Sequence, residues 1–346
     1  MIAAEGAAPL TLFRWDLDKT YLRSEFETLR DLIRVPFERG EDKVDVPGVV
    51  ELIRSLKEAA RARGQEARVL FLSASPPQIA QAILDKFAID GIEVDGIVFK
   101  DQLQILMRGR FRGLREQTGF KLAELLRGRL SAPDGAPEYL FGDDWETDPI
   151  IYSLYGDLMS GRVDAAQLSR VLDEIRVEPR WRLEIEDLLG RVVRSDSVRR
   201  IFINLERGRP PRTFRSFGRR LVPTFNYFQT AVCLHDEGQL PAAGVERVAR
   251  VLIERESYSR EMLENSLEDV VRRGHLDPAP ANELAEKLRD VGLLPRRGVP
   301  FRRRWREWLR RRGRRAVAPP PVDGLWPEAA EVPDYVALVG AWRTER

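Results

Sequence analysis

Residues 12–20, LFRWDLDKT, decide how this chain is read. Leu12–Trp15 has the character of a short strand, and it runs directly into Asp16-Leu17-Asp18. Open parallel sheets gather their ligands beyond the carboxyl ends of strands, so two carboxylates at such an end are candidates for chemistry. Outward from this point, short apolar runs alternate with helical patterns, the signature of a parallel α/β sheet. A helix is predicted after Pro47–Gly48, with Val49, Val50, Ile53 and Leu56 on one face. Val69–Leu72 predicts a second strand that stops at Ser73, and Pro77–Phe87 a helix entered through proline. Ile97–Phe99 predicts a third strand, Phe120–Leu130 a helix, and Tyr139–Phe141 a fourth strand running into Gly142-Asp143. A further helix starts near Asp148–Pro149 and carries Ile150, Ile151, Leu154 and Leu158. Ile201–Leu205 is the fifth strand, which leaves residues 157–195 as a helical insertion.

The 346 residues suffice for two domains, and 57 Lys+Arg against 55 Asp+Glu predict no partner by net charge. One cysteine, Cys233, excludes an intrachain disulfide framework and a thiolate zinc cluster. Two histidines, His235 and His275, supply imidazole chemistry poorly. His235-Asp236-Glu237 reads as a solvated helix end rather than a metal site. The N-terminal residues lack a signal-peptide pattern and no run has the length of a membrane span, so the expected address is cytoplasmic.

Four features fall at or just past strand ends or helix starts: Asp16-Leu17-Asp18-Lys19-Thr20, Ser73, Lys121, and Gly142-Asp143-Asp144 with Asp148. Several carboxylates in one crevice repel unless a cation compensates them. With neither His nor Cys beside them, a hard divalent ion, Mg²⁺, is expected on Asp16, Asp18, Asp143 and Asp148. Thr20, Ser73 and Lys121 are the expected phosphate-binding groups, a positive charge and donors for phosphoryl oxygens. Only seven residues are Lys against fifty Arg, which makes Lys121 in this slot informative. Lys100, after the third strand, is the alternative lysine. Asp16 is the candidate nucleophile, and Asp18 the group that acts as acid and then base.

In this order the motifs resemble the haloacid dehalogenase superfamily of aspartate-nucleophile phosphohydrolases. More narrowly they resemble the lipin-related phosphatidate phosphatases of the actin-patch type. The narrower likeness rests on Val46-Pro47-Gly48, Leu72-Ser73-Ala74-Ser75-Pro76, and Gly142-Asp143 with Asp148-Pro149-Ile150-Ile151-Tyr152. That family reads PGM, LSASP and GDSGQ-x-DPEIY at these places. The resemblance covers residues 11–155 and the strand near 201, and says nothing of 210–346. It implies that Asp16 becomes an aspartyl-phosphate and that Asp18 protonates the leaving alcohol and then activates water. Asp16, the Asp18 carbonyl and Asp143 would hold Mg²⁺, with Asp148 in support. Lys19 stands where the family has a second acid, and Asp144-Trp145-Glu146 is more acidic and bulkier at the rim than the family's stretch.

The expected architecture is α/β: a Rossmann-like phosphatase domain over 1–210, an all-α helical domain over 211–295, and a basic tail over 296–346. From residue 221 onward the pattern reads as helical. Gly161, Gly238 and Gly274 each precede an apolar anchor and an Asp or Pro, one helix-entry solution used repeatedly. Residues 296–315 hold eleven Arg against one acid, Glu307. Phe301, Trp305, Trp308 and Leu309 share one helical face there, which suits an anionic lipid surface through residues 301–315. The tail thus raises a peripheral membrane address, which agrees with phosphatidate, or another lipid phosphate, as the substrate that the resemblance implies. Other readings stay open at this point: a phosphatase acting on nucleic-acid ends or phosphoprotein, a non-catalytic scaffold of the same fold, or a tail docked on its own chain.

Overall fold

The computed structural model describes residues 8–22, 45–73, 80–99, 111–145, 147–296, 326 and 331–344. Lys100 and the 301–315 segment lie outside the described residues. Apolar runs form the strands β1 Leu10–Asp16, β2 Glu66–Ser73, β3 Gly96–Phe99, β4 Glu138–Asp143, β5 Val198–Asn204 and β6 Leu221–Thr224. They make one six-stranded, all-parallel sheet in the order β3-β2-β1-β4-β5-β6. This is the Rossmann-like order, whose reversal point lies between β1 and β4.

Between the strands run α1 Val49–Ala62, α2 Ala80–Asp90, α3 Phe111–Leu130, α4 Asp148–Met159, α5 Ala165–Ile175 and α6 Pro179–Arg191. After β6 come α7 Tyr227–Asp236, α8 Ala242–Glu256, α9 Arg260–Arg272 and α10 Pro278–Asp290, with α11 Tyr335–Thr344 at the end. A parallel sheet has to be covered on both faces, and period-two alternation divides its side chains between two cores. Phe13, Trp15, Val69, Phe71, Tyr139, Phe141 and Phe202 point to one core, which α1, α2 and α7 to α10 close. Leu72, Leu140, Ile201, Ile203 and Leu221 point to the other, closed by α3 to α6 and α11.

The segment expected to be all-α departs from that expectation. Leu221–Thr224 is a strand paired with β5, and Pro211–Phe217 is a 3₁₀ helix. The helices α7 to α10 bury their apolar faces in the same core as β1, β2 and α1. Strand β6 accommodates Pro223 because it pairs on one side only, with Pro223 opposite Ile203; an edge strand tolerates the missing N–H. The three helix-entry glycines all take left-handed backbone, at φ 75° for Gly161, 71° for Gly238 and 81° for Gly274. Asp164 completes a capping box with Gln167 after the first of them.

Two features hold β1 and β4 in register beneath the crevice. Trp15 stacks on Phe141 with ring centroids 3.7 Å apart, and Phe141 stacks on Phe202 at 5.3 Å. On the opposite face, buried Glu138 of β4 pairs with Arg14 of β1 at 3.0 Å and with Arg129 at 2.8 Å.

Candidate active site

Asp16 ends β1 and Asp143 ends β4, so the two carboxylates stand side by side at the reversal point of the sheet. Asp148 opens α4 with Pro149 directly after it, a position where the ring's missing N–H costs nothing. Each of the three offers a carboxylate oxygen within 4.8 Å of the others, and all three are buried. Lys121, fully buried on α3, places its Nζ 2.8 Å from Asp16 Oδ1 and 2.6 Å from Asp148 Oδ1. Three of the four expected acids and the expected lysine therefore meet in one place, while the Asp18 carboxylate is not part of the cluster.

A glycine makes this closeness possible. A Cβ on Gly142 would lie 2.5 Å from Asp148 Oδ2 and 2.6 Å from its Cβ. Those atoms sit at the start of a buried helix and cannot swing aside. Gly142→Ala is expected to push Asp148 off the cluster and weaken the binding of a divalent ion by these carboxylates by about 10–100-fold. A Mg²⁺ titration by calorimetry beside a circular dichroism spectrum checks this, and wild-type affinity in a folded variant would refute it.

The loop after β1 is held from three sides. Its own turns run from Lys19 N to Leu22 O and from Tyr21 N to Leu17 O, at 2.8 and 3.0 Å. The Tyr227 hydroxyl donates to Thr20 O at 2.6 Å, and Asn204 Nδ2 donates to Lys19 O at 3.4 Å. Lys19 itself adopts φ 58°, left-handed backbone that a non-glycine residue takes up at a cost. Asp18 is half-buried in this loop, and its side chain stands outside the three-carboxylate cluster. Thr20 is buried, and its Oγ1 makes no hydrogen bond among the described residues. Ser73 ends β2 next to the first strand, whose Asp16 is in register with Leu72, and it too is fully buried.

Three neighbours were not among the expected catalytic, phosphate-binding or metal residues. Asp144 lies buried, not at the rim: its Oδ1 accepts from Arg207 N at 2.7 Å and its Oδ2 from Arg209 N at 3.0 Å, which wraps the loop after β5 around it. Burial raises the Asp144 carboxyl above its ordinary value, and these two backbone donors oppose the rise. Trp145 is the bulky rim residue, 43 % exposed, and its N donates to Asp143 Oδ1 at 2.6 Å. Tyr152 is fully buried one helical turn after Asp148. Burial pushes its phenol well above the usual value, and the charges of Asp148, Asp16 and Asp143 push the same way against Lys121. It remains a neutral hydroxyl.

Other nucleophiles and bases fall away. Burial pushes the Cys233 thiol up to about 12, so it stays protonated. Burial holds His275 well below the ordinary histidine value, and His235 Nδ1 lies 2.7 Å from Leu240 O at the end of α7. An oxygen-only donor set of three carboxylates, with no imidazole or thiolate in it, fits a hard divalent cation of the Mg²⁺ type. Among the described residues, no helix is long and apolar enough to cross a membrane. Compared with known proteins, the chain matches no protein-family model and no curated protein.

Proposed function

We propose that this chain is a Mg²⁺-dependent phosphomonoesterase of the haloacid dehalogenase type, working through an aspartyl-phosphate on Asp16. The observation that carries the reading is the meeting of Asp16, Asp143, Asp148 and Lys121 at the reversal point of a parallel sheet. Asp16, Asp143 and Asp148 are the residues that would hold the ion. When bound, it supplies charge neutralisation that lets an anionic carboxylate and an anionic phosphate approach each other.

The rest of the chemistry belongs to the chain. A carboxylate oxygen of Asp16 attacks phosphorus, and the bond from phosphorus to the alcohol oxygen breaks. Asp18, two residues along on a loop pinned by Asn204 and Tyr227, gives its proton to the departing alkoxide. It then takes a proton from the water that attacks phosphorus, which frees inorganic phosphate and restores Asp16. Lys121 and the hydroxyls of Ser73 and Thr20 serve the phosphoryl oxygens, where negative charge must be offset throughout.

The test is phosphate release from 4-nitrophenyl phosphate and from a panel of sugar, nucleotide, peptide and lipid phosphates, the last including phosphatidate vesicles. Turnover is expected with Mg²⁺ and is expected to vanish in EDTA. No magnesium-dependent turnover on any phosphomonoester would end this reading.

A further inference from the structure

The mouth of the site carries charge that phosphoryl binding does not call for. Lys19 places its Nζ 3.3 Å from the centroid of the Trp145 ring, and the Arg207 guanidinium carbon lies 5.6 Å from the same centroid. These residues follow the ends of three adjacent strands, β1, β4 and β5, that carry Asp16, Asp143 and Asn204. None of the three has a loosely set position. Lys19 is fixed by its left-handed backbone and by the Asn204 amide, Trp145 by its bond to Asp143, and Arg207 by its bond to Asp144. Glu206, directly before Arg207 in the chain, accepts from Asn204 Nδ2 at 3.0 Å.

A cation over an aromatic face keeps its full charge while losing mobility, so it is preorganised to meet an anion. The phosphoryl group is already met by the buried Lys121, well inside this rim. Two positive groups braced at the entrance would be idle opposite an uncharged leaving group. We propose that Lys19 and Arg207, braced on Trp145, form a leaving-group subsite that takes a second anionic group, a phosphate or carboxylate, on the alcohol released by hydrolysis. This rests on the phosphomonoesterase reading and narrows its substrate class to dianionic and polyanionic metabolite-like esters, away from phosphatidate, whose diacylglycerol leaving group has no charge.

The test compares α,ω-alkanediol bisphosphates of three to six carbons with the matched ω-hydroxyalkyl monophosphates, so that chain length scans the unknown span. For at least one length, wild-type kcat/KM is expected to favour the bisphosphate by about tenfold, chiefly through KM, and to lose that preference at high salt. In Lys19→Met/Arg207→Met the preference is expected to fall to within about twofold. Arg207→Met alone, at an exposed position, is expected to remove part of it, which keeps the test open if the Lys19 substitution disturbs its loop. Turnover of both series at equal kcat/KM, a preference that survives the double substitution, or phosphatidate vesicles turned over faster than every bisphosphate would overturn the subsite alone. No turnover of either series or of 4-nitrophenyl phosphate would overturn the phosphatase reading and the subsite with it.

Discussion

Asp16→Asn is expected to lower magnesium-dependent phosphate release by about 10⁴-fold or more, the scale on which loss of a covalent nucleophile is felt. The amide has nearly the volume of the carboxylate, and the Trp15–Phe141–Phe202 stack that joins β1, β4 and β5 is untouched by the change. Lys121 keeps its contact with Asp148 at 2.6 Å, so the fold should survive. What disappears is an oxygen lone pair able to form a bond to phosphorus. Kinetics alone would not separate a lost nucleophile from a lost metal ligand, because Asp16 belongs to the carboxylate cluster. Fluorine NMR of beryllofluoride resolves the two: the wild type should form an acyl-phosphate-like adduct and Asp16→Asn none, even at magnesium concentrations high enough to compensate for one weaker ligand. Asp18→Asn should behave differently. With 4-nitrophenyl phosphate, whose leaving group needs no proton, it should release about one equivalent of nitrophenol quickly and then stall, since only the water step then lacks its base. Activity of Asp16→Asn above about a tenth of wild type would dismiss Asp16 as nucleophile.

The parts of the fold that could be read in advance are those whose signal is local. Val69–Leu72 and Tyr139–Phe141 are unbroken apolar runs and Leu12–Trp15 is broken only by Arg14; each lies within a central strand and leads within two residues to Ser73, Asp143 or Asp16. Strand β5 starts at Val198, before the expected Ile201, because Arg199 and Arg200 interrupt its apolar run; Arg200 is satisfied by Glu237 at 2.6 Å, a partner supplied by the helix after β6. Strand β6 is four residues with a proline in it, which reads as a break and becomes a strand only beside the exposed edge of β5. The site follows the same division. Asp16, Asp143, Asp148 and Lys121 were legible because each sits where a strand ends or a helix runs beside it. Asp144 was not, since its burial depends on the backbone N–H groups of Arg207 and Arg209, which no local pattern announces. The assembly of Lys19, Trp145 and Arg207 was hidden for the same reason: three strand ends adjacent in the sheet are far apart in the chain.

Lys121→Met should show what balances the buried carboxylates when no divalent ion is present. The ammonium is fully buried, and it lies within 2.8 Å of Asp16 and 2.6 Å of Asp148. Removing one partner of a buried ionic group takes the counter-charge from the carboxylates opposite it, a loss of about 3–5 kcal/mol of unfolding free energy. That loss is expected in urea denaturation with EDTA present. Adding Mg²⁺ should then stabilise the variant more than it stabilises the wild type, because the ion meets a carboxylate cluster from which the ammonium beside Asp16 and Asp148 has gone. At about one hundred times its dissociation constant, a ligand specific for the folded state contributes about 2.7 kcal/mol. The variant should therefore recover a large part of its stability while its kcat stays at least about 100-fold down, since the charge that serves the phosphoryl oxygens is still missing. Lys121→Arg should recover less activity than its charge suggests: a planar fork cannot occupy the point between Asp16 and Asp148 that a compact ammonium fills. Equal magnesium shifts in variant and wild type would mean that lysine and ion do not share these carboxylates, and the site as drawn would fail.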